Sequence, residues 1–169
     1  MFTETKNLLS EVAVKKVNFY KSGIIKYLIA SMWAGAYVGF GIFLIMTIGG
    51  LGSESNFPFT KMLMGLSFGI ALSLVIMAGS ELFTGNNMIL TVGALDKKVT
   101  WKDSANIWVW SFIGNAIGST LLGLLLSLTN AAATPTGAFI LKTAATKMNG
   151  DFIPLLVNGI LCNLLVCLA

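Results

Sequence analysis

This chain has no histidine, only two cysteines and three prolines, and charged residues make up 11% of it. Each shortage excludes something. Without histidine the commonest general base and metal ligand is missing, so a hydrolase or a zinc site has little to stand on. All eleven cations are lysines, and they gather near the ends of apolar runs instead of forming a continuous basic face, which argues against nucleic acid as a partner. Cys162 and Cys167 are five apart in one apolar segment and point to different helix faces, so they read as small packing residues and not as a disulfide or a metal pair. No cofactor is implied.

What is present in quantity is apolar sequence. Of 169 residues 56% are hydrophobic, and the mean hydropathy of +0.83 marks an all-α polytopic membrane protein. The first twenty residues lack an apolar core before a small-residue cleavage site, so no cleavable signal is read there and the amino terminus is expected in the cytoplasm. Segment 1–23 sets Leu8, Leu9, Val12, Val14 and Val17 against Lys6, Lys15, Lys16 and Lys21, a pattern for an amphipathic helix on the membrane surface. Runs long enough to cross a bilayer occupy about 24–48, 62–95, 104–129 and 152–169 in a single transmembrane domain. A short helix is predicted over 137–147. Lysines before the first span and at 97, 98 and 102 place those segments on the cytoplasmic side.

The second run is interrupted by Gly79-Ser80-Glu81-Leu82-Phe83-Thr84-Gly85-Asn86-Asn87. Irregular backbone at membrane depth has to be buried in protein or line a polar cavity. Two half-helices, 62–78 and 86–95, are therefore predicted around a break at 79–86. Gly79 and Gly85 would supply conformations closed to other residues, and Glu81 would accept from the N–H groups of the loop. Thr84, Asn86 and Asn87 would cap the second half-helix, whose amino end suits a small anion. A channel or transporter builds its substrate site in this way; a kink that only serves packing is the bland alternative.

At this loop the sequence resembles the formate/nitrite transporter family through Leu82-Phe83-Thr84. Ala34 to Gly41 (AGAYVGFG) is similar to the family's first-helix signature, Phe112-Ile113-Gly114-Asn115 to its third and Gly159 to Ala169 to its fourth. The resemblance runs from about residue 20 in the right order and spacing. It implies an aquaporin-like helix bundle, a homopentamer in which each protomer has six spans in two inverted halves and its own pore, in a bacterial inner membrane. The permeant species would be small monovalent anions or their conjugate weak acids, of the formate, nitrite or hydrosulfide class. Leu82 with Leu72 would narrow the cytoplasmic side of the pore, and Phe68 with Val166 the outer side. Thr84 and Asn163 would contact the solute, with Lys147, and more loosely Lys21, as vestibule charges.

This chain holds about four of the six spans, ends inside apolar sequence, and lacks the fifth span where the family carries a pore histidine; a C-terminal half-pore is expected beyond it. Two other readings compete. A water or glycerol pore would share the architecture, but its paired Asn-Pro-Ala boxes are absent. A non-conducting membrane subunit would have no need of the break at 79–87. An enzyme has less support still, since Ser80, Glu81 and Thr84 have no histidine partner.

Overall fold

The computed structural model describes residues 2–168, so Met1 and Ala169, the outermost residues of the first and last segments, lie outside the described residues. Among the described residues every regular element is helical: α1 (Phe2–Ser22), α2 (Ile24–Glu54), α3 (Thr60–Ser67), α4 (Gly69–Met77), α5 (Phe83–Leu95), α6 (Trp101–Ser127), α7 (Pro135–Met148) and α8 (Phe152–Leu168), with a 3-10 turn at Asn130–Ala133. By length and hydropathy α2, α6 and the stretch Thr60–Met77 are each sufficient to cross a bilayer. The limb before the break is thus about a full crossing long, where the sequence pointed to a half-span, while α5 has 13 residues. α7 and α8 meet at a bend of 113°.

The chain divides into two compact units. The first comprises residues 1–35, 79–118 and 163–169; the second comprises 36–78 and 119–162. Its segments show that α2, α6 and α8 each contribute to both.

In the first unit Ala13, Val17, Tyr27, Leu90 and Ile107 form the core, with Tyr20, Ile89, Val99, Trp108 and Trp110 packed against it. Of the apolar residues of α1 that the sequence set against the lysines, Val17 is buried and Leu9, Val12 and Val14 are half-buried. Ser10, Ala13 and Val17, spaced three and four apart, are its buried residues, whereas Leu8 is exposed. That stripe docks on α5, where Gly93 leaves the room: a side chain there would run into the Ala13 methyl. Polar residues then start α6 at a fixed point. The Asp103 N–H donates to Thr100 Oγ1 (3.0 Å) and the Thr100 hydroxyl donates to Asp103 Oδ2 (2.8 Å), a reciprocal cap.

In the second unit small residues again set the packing. A side chain at Gly41 would collide with Ala71 of α4, and one at Gly50 with the backbone of Pro135 and Thr136 at the start of α7. Pro135 suits that first turn because its fixed φ is helical and its missing N–H is not needed there. α2, α6 and α7 border an apolar cavity of about 520 Å³, and Lys147 is the one charged residue lining it.

Candidate functional site

The break lies between Met77 and Phe83. Gly79 adopts φ +65°, in the left-handed region, so its lack of a Cβ is required there. Gly85 is different from its expected role: it lies inside α5 with ordinary helical backbone, and the position a Cβ would take is open. The helix itself starts three residues earlier than the sequence suggested. Leu82 is its N-cap, in extended conformation, and no side chain of its own caps it. Thr84, Asn86 and Asn87 are therefore helical residues and not caps, because the capping group comes from another helix.

That group is Asn115 of α6. Its Oδ1 accepts from the Phe83 N–H (2.9 Å), and its Nδ2 donates to the carbonyls of Glu81 (2.9 Å) and Ser31 (2.8 Å). The Glu81 N–H in turn donates to the Ala30 carbonyl of α2 (3.3 Å). Backbone groups that a continuous helix would have paired internally are paired here with α2 and α6.

The Glu81 carboxylate is held by side chains of α1, α2 and α5. Lys16 Nζ of α1 donates to both of its oxygens at 2.9 Å, and Tyr27 OH and Asn86 Nδ2 each donate to Oε2 at 3.2 Å. Asn86 Nδ2 lies 2.9 Å from the Tyr27 hydroxyl oxygen, and Trp108 Nε1 donates to the Asn86 carbonyl (3.2 Å). The pair is well shielded, with side-chain exposures of 16% for Lys16 and 8% for Glu81. Taking both charges out of water is costly, and several hydrogen bonds to the carboxylate are what make it tolerable. The charge of Glu81 is thus spent inside the packing of α1, α2 and α5.

Thr84 follows in the first turn of α5, half-buried. Its carbonyl accepts from Cys167 Sγ of α8 at 3.2 Å. Asn163 lies one helical turn before Cys167, so both are on the face of α8 that meets α5. Asn163 Oδ1 is shielded from solvent and has no hydrogen-bond partner among the described residues. Both thiols are free, with Cys162 exposed.

The remaining predicted site residues are distributed between the units. Leu82 and Val166 belong to the first and are half-buried; Phe68 and Leu72 belong to the second, Phe68 exposed and Leu72 half-buried. Lys147, exposed in the last turn of α7, is also in the second unit and is not in the same unit as Thr84 and Asn163. Lys21 pairs with Asp103 at 3.0 Å, so its charge is already partly met. Sequence reasoning missed Asn115, Lys16 and Tyr27. Asn115 did carry a signal, an amide in the apolar middle of a 27-residue helix whose other amide, Asn106, lies near the polar start, and it stands in the stretch that resembles the family's third-helix signature.

Residues 3–169 match the family profile described as Formate/nitrite transporter. The chain belongs to the formate/nitrite transporter family. This is a family of channels and transporters, not of enzymes. This member is 35% identical, over its full length, to the "Uncharacterized transporter YwcJ" of Bacillus subtilis, of which it covers 66%. It is 39% identical to the nitrite transporter NirC of Salmonella typhimurium, again over its full length, and covers 62% of that protein. A solved structure of an "FNT family ion channel" matches with a TM-score of 0.88 at 35% identity, over 98% of this chain and 66% of that one. The chain spans between 62% and 66% of the length of these three relatives.

Proposed function

We propose that the protein is a membrane channel or transporter for small monovalent anions or their conjugate weak acids, of the formate, nitrite or hydrosulfide class. It works as an aquaporin-like homopentamer in a bacterial inner membrane, with a cytoplasmic amino terminus. The observation that carries this reading is the break before α5. The start of a helix, with its positive partial charge, carries Thr84 in its first turn and is met by Cys167 of α8, one helical turn from Asn163, while the nearby carboxylate is neutralised by Lys16. An unpaired carboxylate there would repel anions.

In this reading Leu72 and Leu82 form one apolar constriction and Phe68 and Val166 the other. Apolar narrowings disfavour a bare, dehydrated ion, since desolvating a charge is prohibitive unless something replaces its water. Lys147 and Lys21 raise the local anion concentration, Lys21 less effectively because Asp103 competes for it. The solute then crosses protonated, or briefly held by Thr84 and Asn163. The shielded Asn163 Oδ1 needs a donor, and a neutral acid O–H is one. No covalent chemistry is involved.

The test of the polar site is Thr84→Val, which removes the hydroxyl at nearly constant volume. Formate flux into proteoliposomes should fall by about tenfold, the size of effect expected from one lost hydrogen bond to a charged or strongly polar solute. Unchanged flux and selectivity would remove Thr84 from the pathway.

A further inference from the structure

We propose that Asn115 is a positioning residue that sets solute selectivity from a distance: its three hydrogen bonds fix Leu82 and the first turn of α5 against α2 and α6. This rests on the reading of Leu82 and Thr84 as lining the pathway. Its own basis is separate.

The two peptide groups flanking Leu82 end in an orphan acceptor, the Glu81 carbonyl, and an orphan donor, the Phe83 N–H. Asn115 takes both, and its second N–H reaches the Ser31 carbonyl of α2. Leu82 is thereby suspended between two bonds to one side chain. That side chain is itself immobilised by close backbone contact between α2 and α6. A Cβ on Gly35 would strike the Asn115 backbone, one on Gly114 would strike Ser31, and one on Gly118 would strike the Met32 backbone. With the two helices touching on either side of Asn115, the height of Leu82 follows from the position of one amide.

Only an amide of this length offers two donors and an acceptor together. Serine has one donor and a shorter reach, and glutamine is a methylene longer. Aspartate is the informative replacement. Ionised, it keeps the acceptor for the Phe83 N–H but turns a negative oxygen towards two carbonyls. Protonated, it regains one donor and restores one of the two lost bonds. Burial raises a carboxyl's pKa, which brings this change towards the neutral range. The charged and titratable groups facing the position are Glu81 of the break, whose carboxylate is held by Lys16 of α1, and Tyr27 of α2. On α6 itself Lys102 and Asp103 are about 18 Å away along the helix axis.

The experiment compares the full chain with Asn115→Asp and Asn115→Gln in proteoliposomes, reading the formate-to-lactate flux ratio relative to the unsubstituted protein at about pH 5.5 and about pH 7.5. In parallel, hydrogen exchange at the Phe83 amide, corrected for its intrinsic pH dependence, reports the clasp without any reference to transport. Asn115→Asp should change the ratio by about tenfold at the higher pH, the discrimination that one misfitted methylene produces. It should return towards the unsubstituted value at the lower pH, with Phe83 protection following the same course. Asn115→Gln should shift the ratio at both pH values equally, and it carries the test if the aspartate variant does not fold.

An unchanged ratio and unchanged Phe83 protection in folded variants would overturn the proposal. So would an Asn115→Asp defect that is the same at both pH values. If the unsubstituted protein passes neither acid while Phe83 protection still tracks the variants, the clasp stands and the transport reading fails.

Discussion

The two limbs flanking the break both belong to one apolar run but are differently held, and the less apolar limb, α5 with Thr84, Asn86, Asn87 and Thr91, is the one more firmly fixed. After the break, α5 buries Asn86, Leu90, Gly93 and Ala94 within its unit and receives polar contacts from α2, α6 and α8. Before it, α3 buries no residue in its own unit and α4 buries only Ala71 and Val75, while Gly65 and Gly69 face open space. The contrast teaches that in so apolar a chain hydrophobicity does not choose where the backbone is fixed. A few polar side chains choose it, because a hydrogen bond has a direction and apolar contact does not.

The largest effect should come from the ion pair that anchors the fixed limb. Glu81→Ala or Lys16→Ala leaves the partner buried and unpaired, which costs about 3–5 kcal/mol. The protein in detergent should melt well below the unsubstituted one, and the double replacement Lys16→Met with Glu81→Leu should recover much of the loss. If the single replacements melt normally, the network is not what holds α5.

Two glycines divide along the same line, with a smaller effect. Gly79→Ala forces a side chain into left-handed backbone and should cost about 1–2 kcal/mol. Gly85→Ala should instead leave stability unchanged or raise it by about 1 kcal/mol, since alanine is the better helix former and nothing occupies the space. A loss of flux from Gly85→Ala in a protein that melts normally would mark that open space as part of the pathway.

The smallest effect belongs to the exposed pair Lys6–Asp96, at 2.6 Å. Hydrogen bonding to Lys6 holds the Asp96 carboxyl below its ordinary range. A lowered carboxyl pKa contributes stability that is present above the unfolded value and is lost as the pH falls through the folded one. Lys6→Ala should therefore leave the melting temperature unchanged at neutral pH within error, with any difference from the unsubstituted protein vanishing in acid. A large neutral-pH loss would mean that α1 is held by its exposed end and not by Lys16.

Much of this was legible in the sequence, for identifiable reasons. Helices appear near the apolar runs because hydrophobic length and small-residue content are local properties. The position of the break was marked by Gly79, whose conformation excludes a side chain. The partners across the break were not legible, since Lys16 is 65 positions from Glu81 and Asn115 is 32 from Phe83. Hydrogen-bond partners at such separation are chosen by packing, not by local pattern. The same cause explains the misread helix start. Thr84, Asn86 and Asn87 have the chemistry of caps, but an amide from α6 occupies that role and the helix begins at Phe83.

The central claim is that the break before α5 serves the passage of small acids. The most direct test is uptake of formate, nitrite, hydrosulfide and glycerol by proteoliposomes of the full-length gene product, at two pH values and matched protein density. Uptake of the three acids without glycerol, increasing as the pH falls towards their pKa values, is the predicted result. Glycerol uptake comparable to theirs, or no uptake of any of the four, would contradict it.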